Sequence, residues 1–270
     1  MAAVITIRTS TRTATPMQGR APTIATVEQV ATSHPTRIEV VLVDGRARIK
    51  HMAHGELLAA RPLRMAGRHV RIALVGIRTA LLAGDVLELQ IRVGPGVVLE
   101  IIEPTGMVAY DGAGRRADWR AELDLGAGAT LIWHARPFVA ARGSNAHRST
   151  NARLAADARL LLKELLVLGR SGETGVRLHS RMNISQGDCP VLAEALRIDE
   201  HTGTLPGILA PARVLGTIIA AGWRPQAAAT DPHHLQLAEP GALYRALAGA
   251  AHGVDDRIEP LFQAWRRELV

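Results

Sequence analysis

The sequence predicts a mainly β protein, a stack of strand–turn–strand units closed by two short C-terminal helices. Three patterns support this. Apolar and polar residues alternate strictly in several segments, a short polar or glycine-containing turn follows each, and the unit recurs about every 30 residues.

Residues 1–35 stand apart from this pattern. They are rich in Thr, Arg, Ala and Pro, and their first acidic residue is Glu28. Such a composition reads as a disordered N-terminal tail, with a single β-rich domain over 36–270. Within the domain, Val86–Val93 alternates, turns at Gly94-Pro-Gly96 and resumes as Val97–Ile102. Trp119–Leu125 alternates, turns at Gly126-Ala-Gly128 and resumes as Ala129–Trp133. His147–Leu154 leads through Ala155-Ala-Asp157 into Leu160-Leu-Leu162. Val176–Ile184 leads through Gln186-Gly-Asp188 into Val191-Leu192. The residues that close the first strand of each unit, Val93, Leu125, Leu154 and Ile184, are 32, 29 and 30 positions apart. Recurrence on this scale indicates stacked β units that bury their faces on one another. A sandwich with evenly spaced hairpins is the alternative.

Arg213–Ala221 fits either a buried helix or a strand. Residues 242–251 and 258–269 read as helices. In the second, Ile258, Leu261, Phe262, Trp265 and Leu269 fall on one helical stripe. Asp255 and Asp256 are its candidate caps, and Pro260 is accommodated if it lies in the first turn.

Composition narrows the function. With 47% apolar and 21% charged residues the chain can build a substantial core. The lone Cys189 rules out a disulfide framework and any cysteine-based metal cluster made by this chain alone, and fits a reducing cytosol. The best candidate for a membrane span, Val214–Trp223, is well short of the roughly 18 residues a membrane helix needs. No signal-peptide pattern opens the chain, so a cytoplasmic protein with no membrane partner is expected. The net charge is +7, and 30 of the 32 basic residues are Arg, spread along the chain. Only 3% of residues are aromatic, which disfavours nucleic acid and favours an acidic protein partner.

Several chemistries are missing. No G-x-x-x-x-G-K-[ST] loop occurs, so nucleotide hydrolysis through a P-loop is excluded. Gly112-Ala-Gly114 lacks the third glycine of a dinucleotide loop, and Ser171 sits in a turn rather than in a G-x-S-x-G elbow. His51 and His54 would converge only on a helix, His233 and His234 diverge on a strand, and neither pair has an evident third ligand, so no metal site is assigned. Three carboxylates stand out. Asp85 enters the strand Val86–Val93, Glu164 follows Leu160-Leu-Leu162, and Glu194 follows Val191-Leu192. An acid inside a buried strand either lines a cavity or is matched by arginine.

Six blocks in order resemble the urease accessory proteins of the UreD (UreH) family. They are Leu81–Gly96, Ala127–Phe138, Leu161–Arg170, Arg177–Asp199, Val214-Leu-Gly-Thr217 and Trp265-Arg-Arg-Glu-Leu269. One segment departs from the family pattern. Ile102–Tyr110 keeps the tyrosine but lacks the threonine pair and the lysine that usually follow the first block.

The resemblance implies a β-helix-like stack of strands with two short helices, and a non-enzymatic role in urease maturation. It implies a scaffold that bridges apo-urease to UreF and the GTPase UreG and helps deliver nickel, with no tightly bound cofactor and only transient Ni²⁺. On that picture Asp85, Glu164 and Glu194 line a route for nickel, whose affinity for few oxygen ligands is low. Ile258, Leu261, Phe262 and Trp265 then anchor UreF, or form core. The rival expectation is a β-solenoid enzyme that acts on a polar substrate through a carboxylate pair.

Overall fold

The computed structural model describes residues 34–199, 201–202, 205, 208–209, 211–226 and 231–270. All but the last two residues of the expected N-terminal tail lie outside them. In chain order the strands are β1 (Thr36–Val43), β2 (Arg46–Ala53), β3 (Leu58–Ala66), β4 (His69–Gly76), β5 (Ala80–Leu81), β6 (Val86–Val93), β7 (Val98–Ile102), β8 (Met107–Ala109) and β9 (Ala117–Leu125). They continue as β10 (Thr130–His134), β11 (Phe138–Ala140), β12 (Asn145–Leu154), β13 (Arg159–Leu168), β14 (Arg177–Gln186), β15 (Cys189–Ile198), β16 (Val214–Ala221), β17 (His234–Gln236) and β18 (Gly241–Ala248). One helix, α1 (Ala251–Arg267), follows.

The strands form two large sheets. One has the order β15-β14-β12-β9-β6-β1-β2, here sheet A. The other follows β17-β18-β16-β13-β10-β7-β4-β3, here sheet B, with short β5, β8 and β11 beside it. The first three predicted units are rungs that cross from sheet A to sheet B: β6 to β7, β9 to β10, β12 to β13. Each rung stacks in parallel on the next, which gives the β-helix-like body. The 32- and 29-residue spacings are structural registers, since Val93 pairs with Leu125 and Leu125 with Leu154. The third turn residue of each rung is left-handed: Gly96, Gly128 and Asp157, at φ 69°, 63° and 57°. Glycine takes that conformation without strain, and aspartate tolerates it better than most residues. The turns also stack, with Gly126 N–H donating to Val93 O and Ala155 N–H to Leu125 O.

The fourth unit departs from this pattern. Leu154 pairs with Gln186 rather than Ile184, and β14 turns into an antiparallel hairpin with β15 in the same sheet. Sheet B is completed instead by β16, antiparallel to β13, so Arg213–Ala221 resolves as a strand. Residues 242–251, expected to be helical, mostly form β18, paired with β16. Both faces of β18 are covered, so its Ala- and Leu-rich sequence shows no alternation to mark it as a strand. The body therefore carries one C-terminal helix rather than two. That helix begins at Ala251, which puts Pro260 in its interior, and its N-cap, Ala250, makes no side-chain cap bond.

Alternate residues of both sheets fill the space between them, including Leu89, Leu123 and Leu178 from sheet A and Leu99, Leu131 and Leu160 from sheet B. On the outer face of sheet B a second cluster forms under α1. Val254, Ile258, Phe262 and Trp265 pack there on Ile132, Leu161, Leu165, Ile218 and Tyr244. Gly216 of β16 makes room for the helix, because a Cβ there would stand 2.2 Å from Val254 Cγ1.

Candidate functional site

A polar layer interrupts the apolar interior between the sheets. On β12, Ala146, Ala152 and Leu154 are buried and face inward, and Arg148 and Thr150 share their phase. On β13 the inward residues include Leu160, Leu162 and Leu166, with Glu164 among them. Arg148 Nη1 donates to Glu164 Oε2 at 3.0 Å, and the two side chains are 8% and 12% exposed. The guanidinium lies 4.6 Å from the centroid of Trp119 and 5.0 Å from that of Phe138. Aromatic faces attract the cation where water cannot hydrate it.

Glu103, just past β7, belongs to the same layer. Trp133 Nε1 donates to its Oε1 at 2.9 Å and Arg136 N–H to its Oε2 at 3.0 Å. Burial nevertheless pushes its carboxyl up to about 7, because desolvation outweighs those bonds and the Arg148 charge, and Glu164 adds repulsion. Glu103, Arg148, Thr150, Glu164 and both tryptophans line a cavity of about 40 Å³, the scale of a few water molecules at ~10–15 Å³ each.

The layer extends along one level of sheet B. Glu164 pairs in register with Thr217 of β16, and Thr217 with Arg245 of β18. Arg245 then forms an ion pair with Glu194 of β15, across the gap to sheet A. Exposure rises from 3% at Thr217 to about a third at Arg245 and Glu194, so the row runs from the interior to the open edge. Glu164 and Glu194 thus share one inward-facing row. Asp85 stands apart from it. Its Oδ2 accepts from Leu82 N–H at 2.8 Å and its Oδ1 lies 3.4 Å from Arg78, so it closes the turn before β6. Each acid has its own arginine, and none of the three bonds to another. Arg148 is not among the residues the sequence singles out, although it is the one long basic side chain in the buried phase of its strand. Glu103 sits in a loop, where no periodicity marks it.

The C-terminal stripe is core within this chain. Ile258, Phe262 and Trp265 are at most 1% exposed, and Leu261 is half-buried at its margin. Polar clamps hold the helix in place. Buried Lys163 of β13 bonds Asp255 at 2.6 Å, Glu259, and His134 at 3.1 Å. Asp255 is therefore an ion-pair partner of the sheet rather than a cap. His134 stacks on Phe262, and burial, reinforced by Lys163, pushes its pKa down. Near the other end Arg266 grips Glu100 through two bonds of 2.8 and 3.0 Å. Burial would raise the Glu100 pKa, but Arg266 and the neighbouring Arg71 hold it below the usual carboxylate range. Among the described residues no three His, Cys, Asp or Glu side chains converge as metal ligands, and no helix is long and apolar enough to cross a membrane.

Stacked rungs around an apolar interior crossed by one polar layer define a class of β-helix-like protein whose buried charged groups lie between its sheets. Residues 34–270 match the family described as UreD urease accessory protein. The chain is 40% identical over 256 residues to urease accessory protein UreD 1 of Streptomyces griseus, covering 94% of this chain and 95% of the relative. It is 33% identical to UreD 2 of Saccharopolyspora erythraea, over 79% and 71% of the two chains. It is 34% identical to UreD of Streptomyces coelicolor, over 72% and 77%. The chain belongs to the UreD family of urease accessory proteins.

Proposed function

We propose that this chain is a non-enzymatic scaffold in urease maturation, bridging apo-urease to UreF and UreG, and that Ni²⁺ passes through its interior in the cytoplasm. The polar row Glu164–Thr217–Arg245–Glu194, continuous with the Glu103–Arg148 cavity, is the observation that favours this. A buried ion pair contributes little net stability, so polar groups inside a β stack call for a reason other than folding. Carboxylates offered a few at a time bind Ni²⁺ weakly enough to release it. Ni²⁺ is here the cargo, held transiently.

The outward face of α1, rather than its buried stripe, is the part of the helix available to UreF. The test is co-expression with UreF, UreG and the urease subunits. The chain should co-purify with UreF and apo-urease, and Glu164→Ala and Glu194→Ala should lower urease activation while the complex still assembles. Asp85→Ala completes the set and tests whether the turn it closes borders the same route. Full activation with all three variants in an intact complex would remove the passage from the proposal. Catalysis by the purified chain alone would favour an enzyme.

A further inference from the structure

The positive charge, spread along the sequence as it is, does not average out in the fold. Residues 46–78, which span β2, β3 and β4, hold eight basic residues and a single acid, Glu56. Their net +7 equals that of the whole chain, so the remainder is neutral. All eight basic side chains are exposed.

The fold gathers them at one side of the molecule. β2 is the end strand of sheet A and β3 the end strand of sheet B, and Ala47 N–H donates to Gly67 O at 2.8 Å, joining the two edges. Arg46 and Arg48 flank that alanine, and Arg68 follows that glycine. Arg64 pairs in register with Arg71. Lys50, Arg71 and Arg78 have acidic neighbours, whereas Arg46, Arg48, Arg64 and Arg68 form no ion pair among the described residues. Arg64 and Arg71 also line a pocket of about 230 Å³ with His69 and Arg266, in which Glu100 is the sole acid.

Three features select among anionic partners. From residue 34 to 78 there is no Phe, Tyr or Trp, the large rings on which successive bases stack most strongly. Leu63 and Met65, 53% and 44% exposed, interleave with Arg61 and Arg64 on β3. Every residue from Arg61 to Ala66 is exposed on an end strand whose outer edge has no partner strand among the described residues. Such an edge can accept an extended peptide as an added strand, with side-chain pockets supplying selectivity.

We propose that the β2–β3–β4 edge is a docking surface for an acidic, partly apolar protein segment. The segment lies along β3, a carboxylate enters the Arg64–Arg71 pocket, and Leu63 and Met65 take its apolar side chains. This goes beyond the maturation reading and stands or falls separately from it.

The test uses the purified full chain and a fluorescein-labelled peptide that alternates glutamate with valine, at ~150 mM NaCl, where exposed charges act over only about 8 Å. A variant with Arg46, Arg48, Arg64 and Arg68 each changed to Gln should lose at least about tenfold in affinity. A control with Arg159, Arg177, Arg181 and Arg197 changed to Gln should bind as wild type. Both variants should melt with wild type, since every substituted residue is exposed. Equal loss in both variants, no loss in the first, or no peptide binding by wild type would overturn the proposal. So would tighter binding of a uridine homopolymer or of phosphatidylserine vesicles through the same four arginines.

Discussion

Replacing Glu164 by leucine should unfold the protein more readily than its single ion pair suggests. The loss strands Arg148, which is 8% exposed, whose Nε already has no partner, and which is held between Trp119 and Phe138. Removing one member of a buried pair costs about 3–5 kcal/mol, because the other charge stays buried without compensation. At roughly 2–4 °C per kcal/mol for a domain of this size, the melting temperature should fall by about 6–20 °C. Arg148→Met should cost a comparable amount by stranding Glu164. The double variant Glu164→Leu, Arg148→Met should recover to within about 1 kcal/mol of wild type or exceed it, since apolar groups of similar volume replace buried ion pairs at little cost. Methionine also keeps favourable sulfur contacts with the two rings. Urea unfolding followed by fluorescence of the buried tryptophans gives all four stabilities and their coupling energy. Additive losses in the double variant would refute the claim that the pair is a closed, costly unit.

Gly216→Ala should destabilise by about 1–3 kcal/mol, because the new Cβ meets Val254 and Ile258 beneath α1; thermal melts measure it, and an unchanged melting temperature would mean the helix shifts freely. Glu103 has a folded-state pKa of about 7, above its usual 4.5, so the native state holds the extra proton and stability should fall as pH rises between those values. Glu103→Gln should flatten that slope in urea titrations across the range, and an unaltered slope would assign it elsewhere. Lys163→Met should loosen α1 by freeing Asp255 and Glu259 to solvent, read as faster amide exchange in residues 251–267 with the strands unchanged.

The repeating rungs were legible because each turn imposes the same backbone requirement at the same offset. Gly96, Gly128 and Asp157 mark that offset, and Val93, Leu125 and Leu154 stack above it. Ile184 has the same local pattern but belongs to a hairpin, and only the pairing of Gln186 with Leu154 distinguishes the two. β18 escaped detection because a strand buried on both faces loses its period. Of the interior layer, Glu164 and Glu194 were visible as acids in apolar runs. Thr217 and Arg245 join them only through antiparallel pairing of β16 and β18, a long-range contact that no local pattern encodes. The helical stripe was visible, but periodicity shows an apolar face without showing what covers it. Here Ile132, Leu161 and Ile218 of sheet B do.

The central claim is that this chain is needed to place nickel in urease and that its polar interior takes part. Urease co-expressed with UreF and UreG, and with wild-type chain, no chain, or the Glu164→Leu, Arg148→Met double variant, can be purified and its nickel per active site measured beside its activity. The account predicts nickel-loaded, active urease with wild type, nickel-poor urease without the chain, and nickel-poor urease with the double variant although it folds and co-purifies. Urease that fills with nickel equally well in the absence of this chain would contradict it.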